Sequence, residues 1–235
     1  MKKLIPLFAF VLLLSGSAFS QKIYLGIGGS GMTTWTTNVG NYTRSDMDYK
    51  MSFGNAIYLN AGVTFLKHIG VCIQPGLANY HQKLTDKVPD TSFSRDLSWK
   101  YFQLPVMVKF TSGGMVRFYL MAGPQFNFLM AAKQVYKANG ETFENEFTNP
   151  VTNKKEKFGK EEIKEQFQSV DIQARVDLGM EFVLVKKLVL GVGLNFGYGL
   201  TDIKDSDWRI KDSDGKYNPS HNIAAGLNLG VSYIF

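Results

Sequence analysis

Ile223-Ala-Ala-Gly-Leu-Asn-Leu-Gly-Val-Ser-Tyr-Ile-Phe235 closes the chain and alternates almost without error. Side chains in a strand repeat every two residues. Ile223, Ala225, Leu227, Leu229, Val231, Tyr233 and Phe235 therefore share one face, and Asn222, Ala224, Gly226, Asn228, Gly230 and Ser232 share the other. A sheet face in water normally carries long charged side chains, whereas this one is built from Gly, Ala, Asn and Ser. Apolar outside, small and polar inside, and aromatic at the carboxylate is what a strand needs when hydrocarbon lies outside a closed barrel.

The same rhythm runs through the chain. Eight strands are expected, the first over Lys22 to Thr34 and the second over Asn55 to Leu66. In the third, Val71, Ile73 and Leu77 oppose Cys72, Gln74, Gly76 and Tyr80. The fourth, Trp99 to Phe110, sets Phe102, Leu104, Val106, Val108 and Phe110 against Gln103, Met107 and Lys109. In the fifth, Met115 to Ala131, Val116, Phe118, Leu120 and Phe128 face away from Arg117, Tyr119, Gln125 and Asn127. The sixth has an unbroken apolar edge from Val170 to Leu184, interleaved with Asp171, Gln173, Arg175, Asp177, Gly179 and Glu181. Those charges on one face, with none on the other, require two different surroundings. The seventh strand places Leu188 to Tyr198 opposite Gly191, Gly193, Asn195 and Gly197.

Short turns near Lys67, Ser112 and Lys186 interleave with long polar segments at Thr37 to Ser52, His81 to Ser98, Lys133 to Ser169 and Thr201 to Ser220. The expected fold is all-β: an eight-stranded antiparallel transmembrane β-barrel with a side-chain-filled lumen, three short periplasmic turns and four long extracellular loops. Both termini are then periplasmic, in the outer membrane of a Gram-negative cell. A short helix is expected over Gly159 to Gln168, with Ile163 and Phe167 on one side. Trp35, Trp99, Tyr198, Tyr233 and Phe235 fall near strand ends, where an interfacial aromatic girdle belongs. The rival architecture is a secreted lipocalin-like barrel, which would put the charges of the sixth strand outside.

Met1-Lys2-Lys3, the apolar run Leu4 to Leu14 and Ala18-Phe19-Ser20 together make residues 1–20 a signal peptide, cleaved before Gln21. Residues 21–235 then form one barrel domain. The net charge of +6 falls to about +4 without Lys2 and Lys3, with no clustered basic face for nucleic acid. Cys72 is the single cysteine, which excludes an internal disulfide or a cysteine-based zinc cluster. It also lies too far from the cleavage site for a lipoprotein anchor.

The segments Tyr119-Leu-Met-Ala-Gly-Pro124 and Gln103-Leu-Pro-Val-Met-Val-Lys-Phe110, together with the strand rhythm and the terminal Phe, resemble the PorT-like outer-membrane β-barrel family. The resemblance spans nearly all of the mature chain and speaks to fold more than to activity. It implies that Tyr233 and Phe235 are the barrel-assembly signal read by the outer-membrane insertion machinery. Through the founding member it also implies a link to type IX protein secretion.

Three local motifs have blander readings. Gly26-Ile-Gly-Gly-Ser-Gly31 matches a dinucleotide-binding pattern, but a β-rich run follows it where a helix N-terminus would be needed. Asp202, Asp205, Asp207, Asp212 and Asp214 crowd one loop, but the downstream Glu of a calcium loop is missing and four cations offset them. Ser220-His221 sits beside those aspartates, but a triad needs the base held by a third group, which sequence does not show, and no known enzyme motif is matched. The expectation is a non-enzyme with no cofactor and no metal. Its expected partners are outer-membrane lipid, the insertion machinery, and secretion-system or envelope proteins. A loop-mediated partner, adhesion or envelope-structural role leads; secretion accessory and small-solute pore are the alternatives. Lys109, Arg117, Asp171, Arg175, Asp177 and Glu181 are expected to form a luminal ion-pair network. Its best pair is Arg117 with Glu181 across adjacent strands; Asp177 is an alternative partner for Arg117, and Lys109 could compete for Glu181.

Overall fold

The computed structural model describes residues 22–38, 48–88, 91–142, 145–148, 155–158, 160–185, 187–211 and 215–235. The expected signal peptide (residues 1–20), Asp212 and Asp214 lie outside them. The strands, in chain order, are β1 (Lys22–Thr36), β2 (Asp48–Lys50), β3 (Ser52–Thr64), β4 (Ile69–Ile73), β5 (Gly76–Val88), β6 (Thr91–Thr111) and β7 (Val116–Ala138). There follow β8 (Glu141–Thr142), β9 (Asn145–Thr148), β10 (Lys155–Phe158), β11 (Lys160–Glu162), β12 (Val170–Val185), β13 (Leu188–Gly199) and β14 (Asn222–Ile234). Every pairing is antiparallel. Twelve strands make one sheet, and β9 and β10 pair separately.

The pairings of the large sheet return to their start. β1 joins β3, β3 joins both β4 and β5, these join β6, and the path continues through β7, β12, β13 and β14. Thirteen register pairs between β14 and β1 then close the circuit. The expected third strand is two strands because Pro75 brings no backbone N–H to the ladder. The neighbours adapt: the Pro75 carbonyl accepts from Leu59 N at 2.9 Å, and Gln74 N donates to the Pro105 carbonyl at 3.2 Å.

Two expected loops prove to be largely strand. β5 and β6 pair from Gly76↔Gln103 to Val88↔Thr91, so most of the segment His81 to Ser98 is sheet. β7 likewise runs to Ala138 and turns at Asn139-Gly140, where both residues adopt positive φ (50° and 86°) as a two-residue hairpin requires. The expected helix over Gly159 to Gln168 is instead β11, held against β7, and a three-residue 3₁₀ turn at Lys164–Gln166. Pairing with the β7 edge keeps the chain extended there. Ile163 and Phe167 nevertheless share a side and are both buried.

Lys22, the short turns and Phe235 mark one end of the sheet; the longer connections mark the other. Among the described residues no helix is long and apolar enough to cross a membrane.

Candidate functional site: the polar interior and its mouth

The inward rows of adjacent strands meet at mid-height. Arg175 is the hub: Nε and Nη2 donate to the two Asp177 carboxylate oxygens at 2.8 Å each, and Nη1 donates to Gln125 Oε1 at 2.9 Å. This forked geometry is the strongest an Arg–carboxylate pair offers. Asp177 also accepts from Asn228 Nδ2 at 3.1 Å, and Asn195 ties Asn228 (2.6 Å) to Ser30 (2.8 Å), so the contacts reach across from β12 to β14 and β1. Asp177, Gln125 and Gln173 are essentially inaccessible to solvent.

Asp171, one level up, is held differently from expectation. It accepts from Gln173 Nε2 (2.7 Å), Asn222 Nδ2 (3.0 Å), Asn127 Nδ2 (3.3 Å) and Thr201 Oγ1 (3.4 Å). No salt bridge to it occurs among the described residues; amides and a hydroxyl satisfy it instead. Gln125 links this level to Tyr80, whose hydroxyl donates to Gln173 Oε1 at 3.4 Å.

Towards the short-turn end, Lys109 forms a salt bridge with Glu181 and lies over the rings of Tyr24 (4.6 Å) and Tyr119 (5.7 Å). Arg117 and Glu181 are register partners on β7 and β12, as the sequence suggests, but they do not pair. Arg117 Nε turns back to the Gly114 carbonyl at 3.1 Å. Lys109 is the buried cation of the two, and an unpaired buried charge costs several kcal/mol, whereas Arg117 reaches water at the mouth. Among the described residues the interior charges thus pair along one strand (Arg175–Asp177) or skip a strand (Lys109–Glu181, the competing pair the sequence offered), and not across adjacent strands as Arg117–Glu181 would.

Glycines make this interior possible. A Cβ on Gly28 would strike the Tyr58 ring, and one on Gly193 would strike the Tyr119 hydroxyl. Gly26 to Gly31 lie wholly within β1, with no helix after them.

The outer face inverts the pattern. Ile27, Ile57, Val108, Phe118, Leu178 and Leu227 are each about half to two-thirds exposed, and some thirty other large apolar side chains among the described residues are exposed to varying degrees. A soluble monomer rarely exposes apolar patches beyond a few hundred Å². Trp35, Tyr198, Tyr233 and Phe235 point outward near strand ends; Trp99 does not, being fully buried edge-to-face against Phe167 at 5.5 Å. Ile223 belongs to the outward row by register but is buried between its pairing partners Trp35 and Tyr198. With Asp171, Arg175 and Asp177 inside, the charge placement is opposite to that of a lipocalin-like barrel.

The other motifs are local. Asp202 accepts from Ser220 N (3.0 Å), Lys204 N (3.1 Å) and the Tyr217 hydroxyl (2.7 Å), and pairs with Arg209 at 3.1 Å. Asp205 caps the 3₁₀ turn Ser206–Trp208 through Asp207 N. No cluster suited to a metal ion occurs among the described residues. Ser220 Oγ is buried without a hydrogen-bond partner, while the His221 ring donates from Nδ1 to the Thr201 carbonyl at 3.0 Å and stacks on Tyr198. The two side chains are not brought together.

Residues 18–205 match the family model described as the outer membrane protein beta-barrel domain. The chain belongs to that family. Membership places it in the outer membrane and agrees with a closed sheet that is apolar outside. Similar solved structures include neisserial surface protein A (11% identity, 91% of this chain and 97% of that one, TM-score 0.44). OprG from Pseudomonas aeruginosa is 8% identical over 91% of this chain and 95% of its own, with a TM-score of 0.46. A major outer membrane protein from Thermus thermophilus is 15% identical over 91% and 99%, with a TM-score of 0.43. Among curated proteins, none matches the sequence.

Arg175, Asp177, Lys109 and Glu181 could be nominated from sequence because they stand at inward positions. Gln125, Gln173, Asn127 and Asn222 were missed as partners, since an inward amide carries no signal of which charge it will satisfy.

Proposed function

We propose that the protein is an eight-stranded transmembrane barrel, closed by its own side chains, whose long loops serve partner binding, adhesion or envelope structure. The short turns and both termini are periplasmic and the long loops extracellular. The observation that carries this reading is the buried polar network at mid-height: Arg175 holds Asp177 and Gln125, Asn228 donates to Asp177, Tyr80 donates to Gln173, and Asn222 donates to the Tyr101 hydroxyl from the other side of the lumen. It disfavours a small-solute pore, which would need an open path. The reading is also non-enzymatic. A deletion strain complemented with wild type should regain its surface or envelope phenotype, whereas a copy with residues 210–218 shortened to a Gly-Ser turn should assemble without restoring it. Equal restoration by both would contradict a role for that loop.

The resemblance to PorT-like proteins favours a second reading, an accessory component of type IX secretion. Normal secretion in the deletion strain would remove it.

A further inference from the structure

The interior is not filled at the short-turn end. Below the Lys109–Glu181 pair the sheet encloses a cavity of about 250 Å³ that opens at the mouth. A smaller space of about 40 Å³ adjoins it, sharing Lys109 and Glu181 as walls. A water occupies about 30 Å³ of liquid, so the larger space suits a small organic or inorganic ion.

The charges lining it are unbalanced. Lys22, Lys67, Lys109 and Arg117 contribute cations, and Glu181 is the one carboxylate of the lining. Glu181 is already engaged by Lys109. Lys22 and Lys67 make no hydrogen bond or ion pair among the described residues, and Arg117 spends only its Nε on the Gly114 carbonyl. His68 turns Nδ1 to the Thr111 carbonyl at 2.8 Å, which leaves Nε2 free. The carboxylate of Phe235, beside Ile23 at the same rim, is not part of the lining. Like charges gathered in a concave, low-dielectric site focus the field on counter-ions, and a free guanidinium fork matches an oxyanion in two-point geometry.

We infer that this vestibule binds a small multivalent oxyanion, a phosphate or a di- or tricarboxylate, held by Arg117, Lys67 and Lys22 between the mouth and the Lys109–Glu181 pair. The site lies apart from the long loops and does not depend on their role. The same chemistry is available from a soluble anion and from an anionic phospholipid headgroup at the membrane edge.

The test is calorimetric titration of the mature barrel in neutral detergent with inorganic phosphate and with citrate, at fixed ionic strength. Saturable binding is expected, weakened about tenfold or more by Lys67→Ala with Arg117→Ala, because each removes a charge-assisted contact. Lys67→Glu, at an exposed turn position, should weaken it while leaving heat-modifiability on gels intact. Lys83→Ala with Lys133→Ala, on the outer wall, should leave it unchanged. Repeating the wild-type titration in nanodiscs separates the sources. Competition by phosphatidylglycerol but not phosphatidylcholine identifies the headgroup, and undiminished binding in both identifies a soluble ion. No saturable binding by the wild type, or equal binding by both vestibule variants, overturns the inference.

Discussion

Between the short turns and Asp171 the exposed side chains are apolar and the interior is held by Lys109–Glu181, Arg175–Asp177 and a set of amides, with Tyr24, Met107 and Met121 packed among them. Beyond Asp171 the assignment reverses. There Leu84, Leu97, Trp99, Ile163, Phe167 and Ile203 make a buried apolar core, while Lys83, Lys100 and Lys133 are exposed on the outer wall. One continuous β6 carries both arrangements, with Phe102 and Phe110 outward in the first and Lys100 outward in the second. Alternation alone therefore fixes a strand, and only the chemistry of the outward row tells whether lipid or water lies against it.

If the two regions differ in this way, their weak points differ too. The largest effect is expected for Asp177→Ala, which strands Arg175 in the lower interior and costs about 3–5 kcal/mol. Urea unfolding of the refolded barrel in detergent measures it. A loss under 1 kcal/mol would mean that water reaches Arg175.

Phe167→Ala is expected to cost about 3 kcal/mol, as for a buried aromatic truncated against Trp99. The loss should be confined to the upper region. Hydrogen exchange should quicken at Ile163 and Ile203 and stay slow at Arg175 and Asp177. Uniform quickening would show that the two regions unfold as one.

The outer wall supplies the next contrast. Leu227→Arg, in the apolar row of β14, should cost about 2–3 kcal/mol in bilayer refolding, while Lys83→Ala should stay within about 0.5 kcal/mol. Comparable costs at both positions would remove the distinction between the two outer surfaces.

Deleting Phe235 is expected to act on assembly more than on stability. The expected result is a lower outer-membrane level with normal leader removal, read from heat-modifiable bands. Equal levels would show that Phe235 is dispensable to the insertion machinery.

The lower region was legible in the sequence because lipid demands an uninterrupted outward row. Val170 to Leu184 and Ile223 to Phe235 announce themselves for that reason. The upper region reads as loop in the sequence but is strand. With Lys83, Asp96, Ser98 and Lys133 outward, its apolar residues are inward and sparse, and Leu84 and Leu97 alone resemble turn-flanking hydrophobics. Trp99 was misplaced for the same reason: an aromatic near a strand end suits a girdle or a core cap equally, and only Phe167, remote in sequence, decides. The pairing of Glu181 turned on burial, which periodicity does not report. Lys109 and Arg117 occupy equivalent inward positions, but one is enclosed against Tyr24 and Glu181 and the other stands at the mouth.

The central claim, that the outward apolar band faces hydrocarbon and the lysine-bearing wall beyond it faces water, is open to direct measurement. In a Cys72→Ala background, single cysteines at Leu59, Leu120 and Leu227, and at Lys83 and Lys133, would carry a fluorophore in reconstituted bilayers. Quenchers borne on lipid acyl chains should extinguish the first three and spare the other two, and aqueous iodide should do the reverse. Iodide quenching of all five positions alike would contradict the account.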